Sequence, residues 1–197
     1  MVFSSILFLF YFFVPVVLGY YVLPKKCRNI WLLIASWVFY AWGEPKYILL
    51  MLFSPAFNYL AGFMVDKNRE NKKIAKTWVV MATVVDLGFL VLFKYLGFFM
   101  SGFARFLSSN AAILNLALPI GISFYTFQAL SYVIDVYRDD APVQKNIISF
   151  SLYLSMFPQL IAGPIVRYGD VAIQLNEREE TFECSFTLTF PVTLIWQ

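Results

Sequence analysis

The run that decides the fold class is VFSSILFLFYFFVPVVLGYYVL (Val2–Leu23), in which no residue carries a charge. Its 22 residues satisfy the requirement of about 20 apolar residues for a helix that crosses a bilayer core. Because no basic segment precedes it and no small-residue cleavage box follows it, we interpret it as a retained membrane span. Lys25, Lys26 and Arg28 come directly after it. The positive-inside rule therefore predicts that these charges face the cytoplasm and that the N-terminus lies outside.

The composition of the whole chain also indicates an integral membrane protein. Of 197 residues, 60% are hydrophobic and 14% are charged, whereas soluble domains have about 45–50% apolar and about 25% charged residues. The net charge of +3 gives no support to nucleic-acid binding. Histidine is absent, so this chain alone has no His base, nucleophile or metal ligand. Cys27 and Cys184 lack zinc-site spacing, and we predict no metal and no bound cofactor.

The apolar segments predict an all-α, polytopic fold with about six membrane segments. They are Val2–Leu23, Ile30–Gly43, Tyr47–Val65, Trp78–Leu107, Leu116–Tyr137 and Ile147–Val166. The basic loop Asp66–Lys76 is predicted to lie on the same side as the first basic loop, two crossings earlier. The fourth segment is either one long span or a span followed by an in-plane helix. Phe157-Pro158 and Gly163-Pro164 interrupt the last segment, which is typical of a kinked or re-entrant helix.

Two charged residues at membrane depth need an explanation, because a charge there costs about 2.5–3.5 kcal/mol on insertion scales. Asp86 and Lys94 are eight residues apart, close to two helical turns, and therefore share a face. Either they belong to a structural pairing arrangement, or Lys94 extends to the interface while its stem stays in the apolar region.

A polar stripe crosses the fifth segment. Gln128, Ser131, Tyr132 and Asp135 follow the i, i+3, i+4, i+7 spacing of one helix face. Such a stripe either joins neighbouring helices by hydrogen bonds or lines a channel. Arg167, just after the last break, either clamps a carboxylate or phosphate or anchors its span at the headgroups.

Two stretches, taken together, resemble a known family. They are LPIGISFYTFQ (Leu118–Gln128), continued by Ser131-Tyr132 and Asp135–Arg138, and FPQLIAGPIVRY (Phe157–Tyr168). This pair resembles the membrane-bound O-acyltransferase family and, within it, the alginate O-acetyltransferase branch. Val2–Ser5 and Ala41–Gly43 are similar to that branch too. The resemblance covers residues 1–183, which are interpreted as the N-terminal part of such a domain.

The resemblance implies a multi-pass enzyme of the bacterial inner membrane, with its N-terminus in the periplasm. Such enzymes pass an acyl group, here acetyl, from a cytoplasmic thioester such as acetyl-CoA to a hydroxyl beyond the membrane. In the alginate branch the acceptor is the exopolysaccharide, and periplasmic partner proteins assist. The family fold is a ring of helices around a tunnel, of which this chain would form part. The residues implied to line the tunnel or substrate channel are Gln128, Tyr132, Asp135, Pro158, Gln159, Gly163, Pro164, Arg167 and Tyr168.

The chain departs from the family pattern in two respects. Family members are longer, and their catalytic histidine, the general base for the acceptor hydroxyl, lies in a part that this sequence does not contain. We therefore expect no catalytic residue here and no activity from this chain alone. Residues 184–197 alternate like a strand, and we interpret them as a divergent tail introduced by a frameshift or an early stop. The alternative function is a non-catalytic membrane scaffold or transporter-like subunit.

Overall fold

The computed structural model describes residues 8–107, 119, 121–162 and 166–171, and all regular structure within these ranges is helical. A π-helical turn, Phe8–Phe13, leads into α1 (Val14–Val22), α2 (Lys25–Gly43), a 3₁₀ turn (Pro45–Tyr47), α3 (Ile48–Lys67), α4 (Lys72–Leu107), α5 (Ile122–Arg138), α6 (Ile147–Ser155) and α7 (Phe157–Ala162). The all-α prediction is confirmed. Gly163, Pro164 and the predicted divergent tail, residues 184–197, lie outside the described residues.

The first apolar segment and the second pack as a hairpin. Pro15, which has no N–H to donate, lies in the first turn of α1, where the π-helical turn gives way to the α-helix. A Cβ atom at Gly19 would lie 2.6 Å from the Trp31 ring, and the Trp31 indole N–H donates to the Val16 carbonyl at 2.9 Å. Glycine thus allows the large ring of α2 to lie flat against α1.

Two helices in the described part are long and apolar enough to cross a membrane: Pro45–Lys67, which includes the 3₁₀ turn, and Lys72–Lys94. α4 continues beyond Lys94 to Leu107 as one helix of 36 residues, about 54 Å at the usual rise per residue. The fourth segment is therefore one continuous helix, and how much of it crosses the membrane stays a prediction. The outer faces of α2, α3 and α4 are apolar and exposed, as lipid contact requires. Their exposed apolar residues include Ile34, Val38, Leu49, Phe53, Leu60, Val80, Val84 and Val91.

The polar connections between the helices meet at one end of the molecule. The Asn29 amide donates to the Ser149 hydroxyl at 3.4 Å, which joins the start of α2 to the start of α6. Arg69, in the α3–α4 loop, forms an ion pair with Asp139 just after α5. We call this the basic end; it comprises residues 23–29, 66–76 and 138–146. The two basic loops therefore share one end, as predicted, and which side of the membrane this end faces stays a prediction.

α6 is the buried centre of the described helices, and every residue from Ser149 to Ser155 is buried. α6 ends at Ser155, Met156 is non-helical, and α7 begins at Phe157, so the interruption coincides with the predicted break at Phe157-Pro158. Pro158 lies in the first turn of α7, where its missing N–H is tolerated. The Phe157 N–H donates to the Ser36 hydroxyl at 3.4 Å. A break inside the last segment is thus present, and its freed backbone donor is bound by α2.

Gly62 of α3 lies directly against the Tyr132 ring of α5. A Cβ atom at position 62 would lie 2.6 Å from a ring carbon and 2.9 Å from the hydroxyl oxygen. Elsewhere the same ring meets Phe150 of α6, with centroids 4.5 Å apart, and Tyr168, at 4.9 Å. Small residues at membrane helix interfaces allow the backbones to approach closely. This contact therefore sets the spacing between α3 and α5 and the position of α6.

Asp86 of α4 is buried against α3. One of its carboxyl oxygens accepts a hydrogen bond from the Asn58 amide at 3.1 Å, and the same amide donates to the Ser54 carbonyl at 3.1 Å. Asn58 is 0% and Asp86 4% exposed. The described partner of Asp86 is thus an uncharged amide on the neighbouring helix, while Lys94 is exposed, in agreement with extension to the interface.

Replacing Gly62 by alanine is expected to destabilise the helix packing, because the new Cβ forces the Tyr132 ring or a backbone to move. The expected loss is about 1–3 kcal/mol of unfolding free energy, as for other overpacked sites. Gly88→Ala is the matched control, since no atom lies within 4 Å of a Cβ at that helical glycine. Thermal melting of the purified protein in detergent should show a lower Tm for Gly62→Ala only. Equal shifts in the two variants would contradict the contact.

Replacing Asn58 by leucine is expected to leave the buried Asp86 carboxyl without its amide donor. The expected cost is about 1–3 kcal/mol, the usual penalty for an unsatisfied buried polar group. The double variant Asn58→Leu/Asp86→Leu removes both partners and should lose less stability than Asn58→Leu alone. Unfolding of Asn58→Leu, Asp86→Leu and the double variant in mixed micelles measures the three losses of stability. A double variant that loses the sum of the single losses would show that the two side chains do not interact.

Candidate functional site

Five of the predicted site residues lie between the middle of α5 and the basic end. Gln128, Tyr132 and Asp135 belong to α5, and Arg167 and Tyr168 belong to the short segment of residues 166–171. The segment returns to this end after α7, because the backbone at Asp140 and the Ala141 side chain lie 4.0 Å from a Cβ built at Gly169. Two motifs that are separated in sequence thus meet in one place.

Tyr132 has a packing role. Its side chain is 0% exposed, and its hydroxyl accepts a hydrogen bond from the Gln144 backbone N–H at 3.1 Å. This bond ties the connection between α5 and α6 to the middle of α5. The polar stripe is expected either to join neighbouring helices or to line a channel. Tyr132 joins neighbouring elements.

Gln128 is buried and has an unused donor. Its side chain is 3% exposed, and its Nε2 atom has no hydrogen-bond partner among the residues that the structure describes. The Gln128 side chain also lies near the hydroxyl of Tyr153 on α6. A buried amide N–H costs free energy unless an acceptor reaches it, so Gln128 offers a hydrogen bond to a carbonyl or hydroxyl oxygen.

Asp135 and Arg167 form the charged part of the site. Asp135 is half-buried and Arg167 is exposed. The Arg167 guanidinium lies within electrostatic reach of the Asp135 carboxyl, as do the charges of Asp140, Arg138 and Asp170. A guanidinium has five N–H donors in a planar fork and binds carboxylate or phosphate oxygens in pairs. Arg167 therefore supplies an exposed cation beside a carboxylate at the basic end.

Tyr168 is buried between two other tyrosines. It is 1% exposed, and its ring centroid lies 4.9 Å from that of Tyr132 and 5.5 Å from that of Tyr153, edge-on in both cases. Burial raises the pKa of the Tyr168 phenol to about 12. The phenol consequently stays protonated at neutral pH and contributes packing and a neutral hydroxyl.

Sequence reasoning missed Tyr153, which touches more of the site than any predicted residue. Its hydroxyl donates to the Val166 carbonyl at 2.6 Å and interacts with the side chains of Gln128 and Ser131. The signal available was a tyrosine among the apolar residues and serines of α6, because a buried phenol usually requires a hydrogen-bond partner. Which partner it finds depends on the return of residues 166–171, which no local pattern reveals.

The remaining predicted residues belong elsewhere. Pro158 and Gln159 lie on α7, where the next residue, Leu160, packs against Gly121 at the start of α5. Gly121 has φ of +74°, a conformation that favours glycine. The start of α5 is about 20 Å along the helix from Asp135. The structure therefore does not group these two residues with the site at the basic end, and Gly163 and Pro164 lie outside the described residues.

Curated proteins match this chain over most of its length. It is 43% identical over 188 residues to the "probable alginate O-acetylase" of Pseudomonas aeruginosa, which covers 93% of this chain and 36% of that protein. The Azotobacter vinelandii protein of the same name is 40% identical over 93% of this chain and 38% of its own length. A peptidoglycan O-acetyltransferase of Helicobacter pylori is 29% identical, over 92% of this chain and 40% of that protein.

The comparisons confirm the resemblance to the alginate O-acetyltransferase branch. The chain spans a little more than a third of the length of these relatives. No family model and no solved structure match the chain.

Proposed function

We propose that this chain, which is homologous to the alginate O-acetylases, forms part of a membrane O-acetyltransferase that modifies an exopolysaccharide such as alginate. The observation that carries the proposal is its identity of 40–43% with five proteins of that name over 93% of the chain. The fold supports it, because residues of both motifs on which the resemblance rests pack together, with Tyr132 of α5 against Tyr168.

The proposed reaction transfers acetyl from a thioester to a hydroxyl group. The acceptor oxygen attacks the thioester carbonyl, a C–O ester bond forms and the C–S bond breaks. The hydroxyl proton passes to a base and the sulfur leaves as a thiolate that takes up a proton. This chain has no histidine, so in the proposal the base comes from another part of the enzyme. Because this base is not supplied by the present chain, we expect the chain alone to be inactive.

The proposed donor approach is at the basic end. A donor such as acetyl-CoA carries phosphates, and Arg167 is an exposed guanidinium of the kind that binds phosphate oxygens in pairs. Gln128 lies deeper and has an unused amide donor that suits a carbonyl oxygen. In this proposal the basic end binds the donor and the interior of the helices receives the acetyl group.

The proposed setting is the bacterial inner membrane, with the basic end in the cytoplasm and periplasmic partner proteins on the opposite side. About six membrane segments would then form part of a ring around a tunnel. The exposed apolar faces of α2, α3 and α4 support the membrane setting. The unpartnered amide donor of Gln128, which is buried among the described residues, supports a polar passage.

Variants at the basic end should test the proposed site in a complete relative, at the positions that correspond to this chain. Gln128→Ala and Arg167→Ala are expected to lower acetyl transfer by about tenfold or more, since each removes a charged or buried hydrogen bond to the substrate. Lys94→Ala is the control and should retain most activity. Release of free thiol from the donor measures the rates. Equal losses in the three variants would remove the support for this site.

The native Cys27 allows the orientation to be tested. It is exposed next to the basic end, so a membrane-impermeant maleimide should label it in inside-out vesicles and leave it unlabelled in right-side-out vesicles. A Cys184→Ser background removes the other cysteine. Lys46→Cys in a Cys27→Ser background, exposed in the turn between α2 and α3, is the matched control and should show the opposite pattern. Labelling of Cys27 from outside would invert the proposed orientation.

A further inference from the structure

Tyr153 has no part in the sequence motifs, yet it joins the two halves of the candidate site. We propose that Tyr153 is a positioning residue, whose hydroxyl holds residues 166–171 against the end of α5 and so fixes Arg167 where the acetyl donor approaches. The position of residues 166–171 can be tested without any enzymatic activity. The consequence of this position for acetyl transfer rests on the proposed function.

The first observation is the hydrogen bond from the Tyr153 hydroxyl to the Val166 carbonyl, at 2.6 Å. Tyr153 is 4% exposed, and a hydrogen bond in so apolar a setting is stronger than one in water. Val166 is the residue directly before Arg167 in the chain. A fixed carbonyl at 166 therefore restricts the backbone from which the guanidinium projects.

The second observation is the edge-on contact between Tyr153 and Tyr168, with ring centroids 5.5 Å apart. Tyr132 meets the other side of Tyr168 at 4.9 Å. Tyr153 thus contacts the residue on each side of Arg167, one through its hydroxyl and the other through its ring. These two contacts fix both neighbours of the arginine.

The third observation concerns charge. Asp135 and Asp170 both act electrostatically on the Tyr153 phenol, and Arg167 acts on Asp135. The Tyr153 phenol, the Asp135 carboxyl and the segment of residues 166–171 therefore lie near one another. A shift of this segment would move Arg167 away from Asp135.

A cross-link measures the position of the segment without any enzymatic activity. A Cβ atom at Gly169 would lie 4.0 Å from the Ala141 Cβ, within the separation of about 3.5–4.5 Å that a disulfide requires. The pair Gly169→Cys/Ala141→Cys, in the full-length protein with Cys27 and Cys184 replaced by serine, should form a disulfide when membranes are oxidised. Adding Tyr153→Phe keeps the ring and removes the hydroxyl, and should slow cross-linking about fivefold, the effect of one lost hydrogen bond.

Tyr125→Phe is the matched control, because Tyr125 is also a buried tyrosine but lies at the start of α5, away from residues 141 and 169. It should leave the rate of the 141–169 cross-link unchanged. An unchanged rate with Tyr153→Phe would overturn the positioning role. Equal slowing by Tyr153→Phe and Tyr125→Phe would overturn it too, since it would indicate general loosening of the helices.

Kinetics then test the consequence for transfer in the complete enzyme. Tyr153→Phe should raise the KM for the thioester donor about fivefold with little change in kcat, and should add nothing in an Arg167→Ala background. Slowed cross-linking without any change in KM would support the positioning role of Tyr153 and refute the proposed role of Arg167 in donor binding. Independent, additive losses from the two substitutions would overturn the proposal that Tyr153 acts through Arg167.

Discussion

The contact between Gly62 and the Tyr132 ring determines how the other helices are arranged. With no side chain at position 62, α3 lies close enough to α5 for one tyrosine ring to fill the gap between them. The remaining surface of that ring receives Phe150 of the buried α6 and Tyr168 of the returning segment. A larger residue at 62 would displace the ring, and both neighbours would lose the surface against which they pack.

The helices of a membrane protein are surrounded by lipid, and this explains why polar contacts join them at particular points in the interior. Lipid does not drive apolar faces together, so the membrane helices use close packing and hydrogen bonds between elements. Asn58 with Asp86 joins α3 to α4, Tyr132 with Gln144 joins α5 to the loop before α6, and Tyr153 with Val166 joins α6 to the last described segment. The proposed site is formed where the last two connections meet.

The sequence was sufficient to predict the helical class and the shared end of the basic loops, which follow from hydropathy and charge. The tunnel-lining role that the motifs imply for Gln128, Asp135 and Arg167 stays a prediction. The sequence did not reveal Tyr153, because the partner of a buried hydroxyl depends on where a distant segment returns. The motif also led to the placement of Pro158 and Gln159 with Arg167, because the three residues are near in sequence. In the structure α7 packs at the start of α5, whereas Arg167 lies toward the basic end.

The proposed function places this chain in the machinery that adds acetyl esters to an exopolysaccharide. Ester-linked acetate on the secreted polymer can be measured in cells that carry the gene, in a deletion strain and in that strain with the gene restored. We expect acetate to fall to background on deletion and to return on restoration, with the polymer yield unchanged. Normal acetate in the deletion strain, or loss of the polymer itself, would contradict the proposed function.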